Sequence, residues 1–139
     1  MADSDLVESG DVFRLAFCDA EFPPDSKRML PKHLSFTDDD KAEDPPYLSV
    51  WDMAQTTVAA ALTHSRPGRI RVAFQMPVAG IMATTAADGT RPLTVRRRPI
   101  AGDGGDGHCG IFGLWNHANL KTLRALLTHL ATRLDAPAS

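Results

Sequence analysis

The run Arg69–Met76, RIRVAFQM, decides the fold class. Ile70, Val72, Phe74 and Met76 alternate with Arg69, Arg71 and Gln75, the two-residue period of a strand with one apolar face. Pro77 interrupts the run, and Val78–Ala83 reads as a second strand or a bend. The segment Ala87-Asp88-Gly89-Thr90 is a turn, and its Asp-Gly pair is a hairpin signal. Leu93–Arg98 (LTVRRR) then reads as the return strand, with Leu93 and Val95 inward and Thr94, Arg96 and Arg98 outward. Strands parted by turns rather than by alternating helices argue against a doubly wound parallel sheet.

The same reading extends in both directions. Upstream, Asp11–Cys18 (DVFRLAFC) is an almost continuous apolar strand, suited to a central position. Prolines keep residues 19–31 in a loop. His33–Phe36 suits a short strand, residues 37–46 (TDDDKAEDPP) an exposed acidic loop, and Tyr47–Trp51 a further strand. Asp52 and Gln55 form a capping-box pair for a helix over residues 53–64, ended by Pro67 and Gly68. Downstream, residues 101–107 are a Gly/Asp loop and His108–Leu114 a short final strand. Leu120, Leu123, Leu127, Leu130, Ala131 and Leu134 recur at helical spacing, with Asn119 placed to cap. The expectation is an α+β fold: a mostly antiparallel sheet of about five strands with two packed helices. Residues 1–10 read as a flexible acidic tail and 11–139 as a single domain.

Composition sets bounds. The chain has 139 residues, 43% hydrophobic and 23% charged, enough for one core. No stretch reaches the roughly 18 apolar residues of a membrane span. The start lacks the basic and apolar regions of a secretory signal, so the cytoplasm is the expected compartment and no membrane the expected partner. Two cysteines, Cys18 and Cys109, are too few for a disulfide framework. Charge is divided: residues 1–60 carry 13 acidic against 5 basic side chains, and residues 61–139 carry 4 against 10. Eleven of the fifteen basic residues are arginine, whose planar fork suits carboxylates and phosphates.

Candidate chemistry follows from these residues. His108-Cys109 is the most reactive-looking pair, but neighbours on a strand point to opposite faces. Arg14 and Ser49 are a second polar pair that a cleft would have to bring together. Neither the histidine and cysteine spacing nor the acidic run Asp38–Asp40 matches a metal-binding pattern, so no metal or cofactor is expected. If the two arginine-bearing strands pair, Arg69, Arg71, Arg91, Arg96 and Arg98 form a basic stripe. Trp115, before the last helix, suits either a partner-binding anchor or a staple seating that helix. These features predict a non-enzymatic accessory domain that docks an acidic protein partner on its arginines. Two alternatives stay open: a small enzyme using Cys109 with a histidine, or Arg14 with Ser49, and a binder of nucleic-acid phosphates.

Overall fold

In the computed structural model, which describes residues 5–64 and 70–134, seven strands form one antiparallel sheet. They are β1 (Leu6–Val7), β2 (Asp11–Phe17), β3 (Leu48–Asp52), β4 (Arg71–Pro77), β5 (Thr94–Arg97), β6 (His108–Phe112) and β7 (Thr132–Arg133). Their order is β1-β5-β6-β3-β2-β4-β7. Four α-helices accompany them among the described residues: α1 (Asp38–Lys41), α2 (Val58–Leu62), α3 (Val78–Ala83) and α4 (Leu120–Leu130). No described helix is long and apolar enough to cross a membrane.

Strand alternation builds a core on each face. Val12, Ala16, Leu48, Val50, Phe74, Met76, Val95 and Ile111 point to one side, where Val78 and Ile81 of α3 and Leu123 and Leu127 of α4 cover them. Phe13, Trp51 and Ala73 point to the other and pack on Ala61 of α2. The expected inward row of β4 holds for Val72, Phe74 and Met76, whereas Ile70, just before the strand, is exposed.

The order also requires the sheet to roll. β1 and β2 stand four positions apart, about 19 Å across a flat sheet. The chain joins Val7 to Asp11 through three residues, a reach of about 14 Å at full stretch. Only curvature closes the difference. Both edges end in two-residue strands, β1 and β7, which leaves little edge for another chain to extend.

Several local expectations change. Val78–Ala83 is helix rather than strand or bend, with Val78 and Ile81 buried. The Asp-Gly turn, closed by a bond from the Ala86 N–H to the Thr90 carbonyl, therefore joins α3 to β5 instead of two strands. Pro31–Leu34 form a 3-10 turn, which takes in the first half of the strand expected over His33–Phe36. The acidic loop contains α1, capped by Thr37, whose hydroxyl accepts from the Asp40 N–H. The helix expected over 53–64 covers only Val58–Leu62 and is capped by Thr57. Asp52 stays in β3, its carboxylate accepting from the Ala54 N–H at 3.0 Å and from Arg97 at 3.1 Å. Asn119 is the N-cap residue of α4, as expected, but its side chain makes no cap bond and accepts instead from the Ala87 N–H. Part of the expected tail is β1, with Val7 buried in the core. Pro67, Gly68 and Arg69 lie outside the described residues.

Candidate functional site

The arginine stripe requires β4 beside β5, and three strands separate them. Arg71 is therefore four positions from Arg96 in the strand order, and not on a strand paired with it. Arg91 is exposed before β5, and Arg69 is among the residues not described. Arg96 and Arg98 share one carboxylate: Arg96 Nη1 donates to Asp5 Oδ1 at 2.8 Å and Arg98 Nη1 to Asp5 Oδ2 at 2.6 Å. Hydrogen bonds from both arginines hold the Asp5 carboxyl below its usual range. The Arg98 guanidinium also covers the Phe112 ring at 4.7 Å. Arg97, on the alternate face, bonds Asp52. Two acidic residues of the first half, Asp5 and Asp52, thus take up Arg96, Arg97 and Arg98 of the second, over separations too long to read from sequence.

His108 and Cys109 face opposite sides of β6. Cys109 is fully buried in the main core, and its thiol donates to the Gly107 carbonyl at 3.5 Å. Burial pushes that thiol up to about 11. His108 packs its ring on Trp51 at 4.8 Å and donates from Nδ1 to the Arg98 carbonyl at 2.7 Å. Burial holds its imidazole below the ordinary value, in the neutral form. The structure does not join these two side chains into a thiol–imidazole pair. No group of three His, Cys, Asp or Glu side chains among the described residues is placed to hold a metal.

Arg14 and Ser49 do meet, but in a closed network. Arg14 donates to the carbonyls of His33 at 2.9 Å, Ser49 at 2.8 Å and Ser35 at 3.1 Å, and lies 3.7 Å from Asp40. The Asp40 carboxylate accepts from the Thr37 N–H and from both the N–H and hydroxyl of Ser49. Donors and acceptors are matched, as burial of charge requires. The network ties the 3-10 turn and α1 to the sheet and engages both the Arg14 guanidinium and the Ser49 hydroxyl.

That scaffold presents a groove. Phe36, directly after the segment held by Arg14, meets Trp115 edge-to-face at 5.1 Å. Ser35, Lys41, Asn116, Leu120 and Arg124 complete the walls around about 320 Å³. Trp115 is 39% exposed, a large ring left to solvent. Asn116 adopts φ +58°, a left-handed turn that lets the chain leave Trp115 and enter α4. Arg124 donates from Nε to the Leu34 carbonyl at 3.0 Å, and its guanidinium lies 6.0 Å from the Phe36 ring. Partial burial lowers the pKa of that guanidinium. Trp115 is the one groove residue that sequence reading singles out. Phe36 sat in an expected strand, Lys41 in an expected loop and Arg124 on the polar face of a helix, with no pattern linking the three.

No protein-family model, curated protein or solved structure matches the chain.

Proposed function

We propose that the chain is a small accessory domain that docks an acidic segment of another protein in the groove between Phe36 and Trp115. The observation that carries this reading is the pairing of two aromatic rings with two cations, Lys41 and Arg124, in one concavity. An exposed tryptophan and a half-buried phenylalanine beside arginine match the composition of protein-binding hot spots. The acidic partner expected from the arginine content is retained, but its seat moves from the stripe to the groove, because Asp5 and Asp52 engage Arg96, Arg97 and Arg98. The enzyme alternative has less behind it: Cys109 is buried away from His108, and Arg14 is consumed by backbone carbonyls. Action in the cytoplasm fits two cysteines that form no disulfide.

The test is fluorescence polarisation with labelled peptides that combine an apolar residue with one or two carboxylates. Binding by the native chain, lost in both Trp115→Ala and Lys41→Glu, supports the reading. Absence of binding, or binding indifferent to both substitutions, removes it.

A further inference from the structure

We propose that His33 is a pH-sensitive latch: its neutral imidazole holds the 3-10 turn Pro31–Leu34 in place, and protonation on acidification releases that turn and, with it, the Phe36 wall of the groove. The latch goes beyond the docking reading and does not depend on it.

Hydrogen bonding is the first argument. His33 Nδ1 accepts from the Leu30 N–H at 3.1 Å, the bond that closes the start of the turn. A backbone N–H can only donate, so Nδ1 carries no proton and the hydrogen of the neutral ring sits on Nε2. Nε2 is buried without a protein partner. A second proton would have to enter at Nδ1, where it turns the acceptor into a donor that faces a donor. The bond to Leu30 and the charged ring exclude each other.

The surroundings are the second. His33 is 5% exposed. Its ring packs on Phe22, with centroids 4.1 Å apart, and meets Phe17 edge-on at 6.5 Å. From β2, Arg14 donates Nε to the carbonyl of His33 itself and lies 3.7 Å from Asp40. An imidazolium would add a second buried cation beside that pair. From the loop after β2, Asp19 is the carboxylate that favours the charged ring, but Lys32 Nζ donates to it at 2.9 Å. From α4, Arg124 reaches the neighbouring Leu34 carbonyl. Burial first, then Lys32, holds the His33 imidazole below its ordinary value of 6.5; Asp19 acts against them, and Arg14 adds a smaller push in their direction. The turn is therefore fully supported above about pH 6.5 and loses that support as pH falls through the lowered folded value.

Connectivity is the third. The carbonyls of His33, Leu34 and Ser35 are held by Arg14 and Arg124, and Phe36 follows directly to meet Trp115 at 5.1 Å. A ring that leaves the Phe22 pocket draws the His33 carbonyl from Arg14 and shifts Phe36 against Trp115.

The experiment is an NMR titration of the full chain from about pH 8 to about pH 4, following the His33 ring nitrogens, the Leu34 to Phe36 amides and the Trp115 indole N–H. The expected result is the Nε2–H ring at neutral pH, protonation below the ordinary histidine value, and a shift of the Phe36 amide and Trp115 indole with the same midpoint. His33→Asn sets an amide oxygen where Nδ1 stands, keeps an acceptor for Leu30 and cannot titrate. It should abolish that transition while the other histidines titrate as before. Should this variant fail to fold, the titration of the native chain alone decides. A hydrogen on Nδ1 at neutral pH overturns the latch. So does protonation of His33 with Phe36 and Trp115 unmoved, or a ring that stays neutral until the whole chain unfolds. The same transition persisting in His33→Asn assigns it to Asp19 or Asp40 and overturns the latch as well. No peptide enters these measurements, so the docking reading stands or falls separately.

Discussion

Arg14 on β2 and Arg124 on α4 hold successive carbonyls of one segment: Arg14 takes those of His33 and Ser35, and Arg124 takes that of Leu34 between them. Neither arginine is an independent surface charge. Together they fix the chain immediately before Phe36, and so one wall of the groove.

Removing Arg14 should therefore damage both stability and the groove. Arg14→Ala leaves Asp40 buried without its cation and three carbonyls without a donor. Breaking one side of a buried pair costs about 3–5 kcal/mol. Urea unfolding should show a loss on that scale. A loss under about 1 kcal/mol would mean that the network is wet and unimportant.

Trp115→Ala should be far milder. With 39% of its surface exposed, Trp115 contributes less to folding than Leu127, which is fully buried. Leu127→Ala is expected to cost about 2–5 kcal/mol, and Trp115→Ala less than half of that. Equal losses in thermal melts would favour the helix-staple role over the docking role.

The Asp5 clamp predicts a pH signature. Its carboxyl titrates below the ordinary value of 3.8 because Arg98 and Arg96 donate to the ionised form. The stabilisation is present above the unfolded pKa and is lost as pH falls through the depressed folded value, so its window lies below about pH 4. Carboxyl NMR should place Asp5 low in the native chain. In Arg96→Gln/Arg98→Gln it should return towards 3.8, and an unchanged value would dismiss the clamp.

Thiol reactivity should run opposite to an enzyme with a Cys109 nucleophile. Cys109 is fully buried with its thiol pushed up to about 11, whereas Cys18 is half-buried. Iodoacetamide at pH 8 should label Cys18 first and reach Cys109 only on unfolding. Rapid selective labelling of Cys109 would restore the enzyme reading.

By itself the sequence determined the element types with strong periodicity. β4 and α4 follow from local alternation and helical spacing, because burying one face of a strand or helix constrains every second, or every third and fourth, residue, and β2 follows from its almost continuous apolar run. Short elements carried no such signal: α3 spans six residues and α1 four, too few for a period, and tertiary contacts set their form. Strand order, the meeting of Asp5 with Arg96 and Arg98, and the assembly of Phe36, Lys41, Trp115 and Arg124 into one groove were decided only by the tertiary structure. Asp5 and Arg98 are 93 positions apart along the chain. Which distant side chains meet depends on how the whole sheet rolls, and no local pattern encodes that.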